Sequence, residues 1–307
     1  MSRIDEALKI SEEADGIVAS EIAALPRGHF SPLSQYRHED PEQDAHDEPV
    51  VHRSPERPES FRPASTARPS AMQAFKLPDD ADLQARLVTA TSSSVSLEQY
   101  RKLGAVLHEA QARNQSKTVM VTSALPHEGK TLTVVNLALT LSESYARRVL
   151  IIDADLRCPS LHTVLDIPND RGLSETLHDG QHGLPITELS RNLSVITGGK
   201  PGRTPLAGLS SKRMAELLEE CAERFDWVLI DTPPVGVLPD AQVLARLVGE
   251  VILVIRAGST PAAAIERAVA ELGGPDAISG TVLNHVEQRQ IPDADYYGQY
   301  LTSHSRG

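Results

Sequence analysis

Residues 118–139 read TVMVTSALPHEGKTLTVVNLAL, a short β-type run that leads through a turn into a helical stretch. Gly129, Lys130 and Thr131 open that helix. A strand-to-helix turn rich in backbone N–H donors can surround a phosphate group, and the dipole of the helix N-terminus attracts its negative charge. We therefore expect Lys130 to reach the terminal phosphates of a nucleotide and the Thr131 hydroxyl to bind magnesium.

The turn departs from the usual phosphate-loop pattern. The pattern G-x-x-x-x-G-K-[ST] requires a glycine at the position where this chain has Ala124. For the tetrapeptide EGKT alone, an ordinary glycine-containing helix start with an exposed lysine is the alternative. If the turn binds a nucleotide, the contacts are expected from Pro126, His127, Glu128, Gly129, Lys130, Thr131 and Leu132.

Two further apolar runs end in carboxylates. VLIIDADLR, at 149–157, contains Asp153 and Asp155, and WVLIDTPPV, at 227–235, contains Asp231. A carboxylate at the carboxyl end of a parallel strand can hold magnesium directly or through water. A helix cap or turn acid is the alternative for each of them, but the three segments in this order favour a catalytic site.

The short loop after the first of these runs offers several roles. Asp153 and Asp155 could divide the tasks of metal ligand and acceptor of a hydroxyl proton, and the residues alone do not decide between them. Arg157 could face phosphate charge or make a surface salt bridge. The candidate metal ligands are Thr131, Asp153 and Asp231, and the candidate catalytic residues are Lys130, Asp153 and Asp155.

The fold class follows from alternation along the chain. Six β-type runs, TVMVTS, VLIIDA, LSVITG, WVLIDT, EVILVI and ISGTVLN, are separated by helical stretches. This order predicts an α/β fold with a mostly parallel sheet flanked by helices on both faces. In such a sheet the ligand crevice lies at the carboxyl ends of the strands, where the loops described above would meet.

Composition argues against several classes of protein. The 307 residues carry a formal net charge of -12 and give a pI near 5.4, which argues against nucleic acid as a partner. No apolar run approaches the roughly 18 residues of a membrane-spanning helix. Cys158 and Cys221 are far apart in sequence and predict reduced thiols rather than a disulfide or a metal site. We therefore expect a cytoplasmic protein.

The chain divides into four predicted segments. A short amphipathic helix is expected at 1–20, a disordered Pro-rich acidic linker at 21–80, the catalytic domain at 81–288 and a flexible tail at 289–307. The tail contains DADYYGQY, which brings together three of the chain's six tyrosines, Tyr296, Tyr297 and Tyr300. These rings have no obvious core to enter.

Over roughly residues 85–301 the sequence resembles the bacterial tyrosine kinases of capsule and exopolysaccharide assembly. SALPHEGKT is similar to their Walker A segment, VLIIDADLR to their Walker A′ segment and WVLIDTPPV to their Walker B segment. The family also ends in a tyrosine cluster. The resemblance implies a P-loop NTPase fold with a deviant Walker A segment, related to that of the MinD and ParA ATPases.

The resemblance implies ATP and Mg²⁺ as cofactors and autophosphorylation of the tail tyrosines Tyr296, Tyr297 and Tyr300, mainly between neighbouring subunits. By the same analogy Asn284 should lie beside the adenine ring. The implied partners are a transmembrane activator of the polysaccharide chain-length type, further copies of the chain in a ring, and a cognate phosphatase. The protein would then be recruited to the inner face of the membrane.

One departure from the family concerns assembly. Family members often carry E-x-x-R-x-x-R on the helix before the P-loop and use it in subunit contacts. This chain supplies Glu98 and Arg101 but has Gly104 in place of the second arginine. The subunit-contact pattern of the family is therefore incomplete in this chain.

Two other functions compete with the kinase. A switch ATPase of the MinD/ParA type would carry a second lysine five residues before Lys130, where this chain has Leu125. A non-catalytic ATP-binding scaffold of a polysaccharide export complex would have no need to retain the lysine and the three carboxylates.

Overall fold

The computed structural model describes residues 75–76, 78–89, 95–179, 183–202 and 204–286. All of them belong to one structural unit. The predicted N-terminal helix, most of the linker and the tyrosine tail lie outside the described residues, so the domain limits stay predictions. Among the described residues, no helix combines the length and the apolar character that a bilayer crossing requires.

Seven strands form one sheet. They are β1 (Thr118–Ser123), β2 (Val149–Asp153), β3 (Thr187–Ser190), β4 (Leu193–Ile196), β5 (Trp227–Asp231), β6 (Glu250–Arg256) and β7 (Gly280–Asn284). Their spatial order is β3-β4-β2-β5-β1-β6-β7. Every neighbouring pair is parallel except β3 and β4, which confirms the predicted mostly parallel sheet.

Nine α-helices lie in the described part of the chain. They are α1 (Ala81–Arg86), α2 (Val95–Asn114), α3 (Lys130–Leu139), α4 (Leu161–Leu165), α5 (Leu173–Asp179), α6 (Pro205–Leu209), α7 (Lys212–Arg224), α8 (Asp240–Ala245) and α9 (Ala262–Glu271). Helix α3 continues into a π-helical turn at Thr140–Ser144.

Each central strand is apolar on both faces because helices cover both sides of the sheet. In β1, Met120 packs into a core layer with residues of α7, α8 and α9. Val119 and Val121 point the other way, into a layer with α2 and α3. This two-sided burial explains the continuous apolar runs that predicted the strands.

Strand β3 was not predicted. Its sequence TELS is largely polar, its residues are exposed or half-buried, and it pairs only with β4 through an irregular antiparallel register. A short edge strand of this kind needs little apolar character, so it leaves no hydrophobic pattern in the sequence.

Gly104, which replaces the second arginine of the family pattern, is buried against the turn that follows α3. A Cβ at residue 104 would lie 3.0 Å from the ring of Tyr145 and 3.4 Å from Leu141. A larger residue at this position would therefore require the Tyr145 ring to shift by a few tenths of an ångström. Glu98 and Arg101 form an ion pair of 2.5 Å within α2, and their part in subunit contacts stays a prediction.

Candidate active site

The phosphate loop runs from the end of β1 to the start of α3. Gly129 precedes the helix in a left-handed conformation, with φ 95° and ψ 22°. A Cβ at this position would overlap the side-chain amide of Asn284, so only glycine fits. The carbonyl of Gly129 accepts hydrogen bonds from the backbone N–H and the hydroxyl of Thr133, both at 2.9 Å, which fixes the first turn of α3.

Lys130 and Thr131 occupy the first two positions of α3. Lys130 is 9% exposed, so the helix start is not an exposed surface turn. The hydroxyl of Thr131 donates to Oδ2 of Asp231 at 2.7 Å and lies 3.0 Å from the hydroxyl of Ser160. The structure thus directly joins the two segments that resemble Walker A and Walker B.

Two of the predicted carboxylates lie side by side at the ends of neighbouring strands. Asp153 and Asp231 are partners in the parallel register of β2 and β5, and both are buried. Oδ2 of Asp153 accepts the backbone N–H groups of Ser160 and Leu161 at 3.0 and 3.1 Å. Oδ1 of Asp231 is buried and, within the described residues, has no hydrogen-bond partner.

The two carboxylates cannot both carry a charge at low cost. Burial raises the pKa of Asp153 to about 8, and repulsion from Asp231 adds to the rise. Burial likewise raises the pKa of Asp231 to about 7, although the hydrogen bond from Thr131 and the charge of Lys130 oppose it. A site with two buried acids and one orphaned oxygen is suited to a cation.

A magnesium ion fits this donor set. The orphaned Oδ1 of Asp231 and the hydroxyl of Thr131 are the hard oxygen ligands that magnesium prefers. In the described part of the chain, no three His, Cys, Asp or Glu side chains converge as a ready-made metal site. An ion held by Thr131 and Asp231 would therefore take its remaining oxygens from nucleotide and water.

The raised pKa values predict an unusual pH dependence of stability. Between about pH 4 and pH 8 folded Asp153 holds a proton that the unfolded chain has released, so the free energy of unfolding should fall as pH rises. Without magnesium or nucleotide, the titration of Asp153 alone should lower the free energy of unfolding by about 2 kcal/mol from pH 6 to pH 8. This corresponds to a decrease of about 5 °C in Tm. Differential scanning calorimetry measures this slope.

Two variants test the assignment of that slope. Asp153→Asn should reduce it, and the part that remains comes from Asp231, whose pKa is also raised, to about 7. Asp226→Asn should keep it: partial burial disfavours the charge of Asp226, but hydrogen bonds from Arg148 lower its pKa, so it does not titrate in this range. A metal-free wild type whose Tm is constant from pH 6 to 8 would contradict the prediction.

Asp155 differs from Asp153 in its surroundings. It is half-buried, and its Oδ1 accepts the backbone N–H of Cys158 at 3.0 Å. Burial raises its pKa, and the charge of Lys130 opposes the rise. The structure therefore places one acid deep in the sheet and one at the edge of the crevice.

Arg157 takes the second of its two predicted positions, a salt bridge. Its Nε and Nη2 donate to the two oxygens of Asp240 at 2.7 and 3.1 Å, and Asp240 is 1% exposed. This bidentate pair ties the Walker A′ loop to the start of α8. A contact between Arg157 and the nucleotide stays a prediction.

Asn284 lies against the phosphate loop at the end of β7. Its Nδ2 donates to the carbonyl of Glu128 at 2.9 Å, and its Oδ1 accepts the N–H of His285, also at 2.9 Å. Both atoms of the amide are thus engaged with the backbone. Its expected place beside adenine stays a prediction, while its role in shaping the loop is a feature that sequence reasoning missed.

Some of the remaining predicted site residues lie in the described part of the chain, and others lie outside it. The structure places Pro126, His127, Glu128 and Leu132 in or next to the phosphate loop, with the Glu128 side chain buried and turned into the protein. Tyr296, Tyr297 and Tyr300 lie outside the described residues. Sequence reasoning missed Ser160, Asp240 and Thr260, which contact site residues.

Comparison with known proteins places the chain in a family. No protein-family model matches the chain. It is 35% identical to the tyrosine-protein kinase YwqD of Bacillus subtilis over 210 residues, covering 67% of this chain and 87% of that protein. It is 31% identical to the putative tyrosine-protein kinase CapB of Staphylococcus aureus over 205 residues, covering 65% and 89%.

A solved structure agrees with these relatives. The kinase domain of the Escherichia coli tyrosine kinase Etk matches with a TM-score of 0.62 and 30% identity, covering 70% of this chain and 90% of that one. The predicted P-loop NTPase fold is thereby confirmed. The deviant phosphate loop, the paired strand-end carboxylates and these similarities lead to one conclusion: the chain belongs to the bacterial tyrosine-protein kinases.

Proposed function

We propose that this kinase transfers the γ-phosphoryl group of ATP to the tail tyrosines Tyr296, Tyr297 and Tyr300 of neighbouring copies of the chain. The main support for this proposal is that Lys130 and Thr131 lie next to the strand-end acids at one edge of the sheet. Phosphoryl transfer needs mainly positioning and charge neutralisation, which a buried lysine and oriented backbone N–H groups supply.

Asp155 is the better candidate for the proton acceptor. A phenol has a pKa near 10 and is a poor nucleophile until a base accepts its proton. Asp153 is fully buried and occupied by backbone N–H groups, whereas Asp155 keeps part of its surface open to the crevice. In this assignment Asp155 accepts the phenolic proton while the oxygen attacks phosphorus.

Asp231 and Thr131 would hold the metal. Magnesium, when bound, neutralises the charge that develops on the phosphate oxygens. The hydrogen bond of 2.7 Å between Thr131 and Asp231 already sets the two ligands at one point. Asp153 would stabilise this arrangement by holding the loop at Ser160 and Leu161 in place.

The similarity to the capsule and exopolysaccharide kinases also suggests a role in the cell. We infer that the kinase regulates exopolysaccharide or capsule synthesis and export, at the inner face of the membrane, through a transmembrane chain-length protein. Each added phosphate would bring about -1.5 to -2 charges to an already acidic tail. Repulsion between phosphorylated tails would then oppose assembly of the oligomer, and a phosphatase would reverse it.

The test is phosphotyrosine mapping on the purified full chain. With ATP and magnesium, and with the cytoplasmic segment of the activator in a parallel reaction, mass spectrometry should find phosphate on residues 296–300. Changing Tyr296, Tyr297 and Tyr300 together to phenylalanine should remove that signal and leave ATP binding intact.

The rival functions give other outcomes. ATP hydrolysis without tail phosphotyrosine in either reaction would favour the switch ATPase. ATP binding without turnover would favour the scaffold. Both outcomes would contradict the autokinase proposal.

A further inference from the structure

A carboxylate lies buried inside the phosphate loop. Glu128, one residue before Gly129, is 2% exposed although the loop around it has to receive phosphate groups of the same charge. A buried carboxylate is tolerated only where donors satisfy its oxygens. The donors of Glu128 therefore show what holds the loop in shape.

Both oxygens of Glu128 are satisfied from within the protein. Oε2 accepts the backbone N–H of Leu125 at 2.9 Å, which closes the loop on itself. Oε1 accepts the hydroxyl of Thr260, a residue 132 positions along the chain and 4% exposed. The carbonyl of Glu128 is held separately by Asn284.

The Thr260 hydroxyl has a fixed direction. Its oxygen accepts the backbone N–H of Arg256, the last residue of β6, at 3.0 Å, while the backbone N–H of Thr260 donates to the carbonyl of Arg256 at 3.1 Å. Because this turn already supplies a donor to the oxygen, the single hydroxyl proton is directed to Glu128. Thr260 thus links the end of β6 to the phosphate loop.

This link matters because the loop has few amides for phosphate. Pro126 has no N–H, and the N–H of Leu125 is committed to Glu128. Ala124 replaces the first glycine and cannot offer glycine's conformational freedom. Phosphate contacts therefore fall to the N–H groups from His127 onward, whose direction depends on where Glu128 is held.

We propose that Thr260 is a positioning residue of the nucleotide site: its hydroxyl holds the Glu128 carboxylate, which orients the 125–129 turn toward phosphate. The inference rests on the nucleotide-binding part of the proposed function. It does not depend on which tyrosine is phosphorylated. Thr260 acts through Glu128.

The test measures nucleotide affinity in the full chain with mant-ADP and magnesium. Thr260→Val keeps the shape of the side chain and removes the hydroxyl, and it should weaken binding about tenfold. Thr260→Ser keeps the hydroxyl and should restore affinity to within about twofold of wild type. The neighbouring control Ser259→Ala changes an exposed side chain and should leave affinity unchanged.

A double-mutant cycle separates this link from a general loss of structure. If Thr260 acts through Glu128, the variant with both Thr260→Val and Glu128→Gln should bind no worse than the weaker single variant. Independent effects would multiply and would overturn the proposal. In kinase assays the loss should fall on KM for ATP, whereas partial unfolding would lower apparent kcat.

Equal affinity of wild type and Thr260→Val would refute the role of Thr260 alone. A wild type that binds mant-ADP but forms no tail phosphotyrosine would refute the autokinase proposal and leave this test standing. No binding by wild type would overturn both. If Thr260→Val does not fold, Thr260→Ala takes its place with the same expected loss of affinity, about tenfold, and unchanged affinity in that variant would refute the role of Thr260.

Discussion

Replacing Lys130 with methionine is expected to abolish tail phosphotyrosine, with a rate loss of about 10³-fold or more. Lys130 is buried at the start of α3, and its charge acts on both Asp155 and Asp231. Methionine fills a similar volume but supplies no charge for the transferred phosphoryl group. Radiolabelled ATP with mass-spectrometric mapping measures the loss.

The chain offers a matched control for this change. Lys117 lies at the opposite end of β1, where its Nζ donates to the carbonyl of Ala222 at 2.8 Å. Lys117→Met removes the same charge just before the start of β1, away from the crevice, and should leave the rate within about threefold of wild type. Undiminished phosphorylation by the Lys130 variant would point to a contaminating kinase or to a site elsewhere.

The sequence was sufficient for the parts of the site that depend on strand order alone. Asp153 and Asp231 each follow an apolar run, and parallel strands bring their carboxyl ends to one edge. The α/β pattern and three local motifs were therefore enough to predict that these acids lie near Thr131. The same pattern predicted the two-sided core around β1.

Long-range side-chain pairing could not be predicted. Arg157 forms a salt bridge with Asp240, which lies 83 residues further along the chain. Glu128 accepts a hydrogen bond from Thr260, which lies 132 residues further along the chain. No local pattern marks either partner, because a single threonine or aspartate in a turn has many ordinary uses. The polar edge strand β3 was not predicted for a related reason. Its stability comes from pairing with β4, not from an apolar pattern in its own residues.

The division of labour between the two acids of the Walker A′ loop is open to a direct test. Asp155→Asn should lower kcat about 10²-fold or more while leaving the affinity for mant-ADP within about threefold of wild type. An asparagine keeps the shape and still accepts the N–H of Cys158, but it cannot take a proton from a phenol. Asp231→Asn, in contrast, should weaken the response to magnesium.

The pH profile of kcat distinguishes a proton acceptor from a residue that only shapes the loop. A base works in its deprotonated form, so the rate should rise with pH through the pKa of Asp155, which burial sets above the usual aspartate value. Asp155→Asn should lose this acid limb. If the limb persists in that variant and disappears in Asp153→Asn, the proton acceptor is the buried acid, and the crevice must open to expose it.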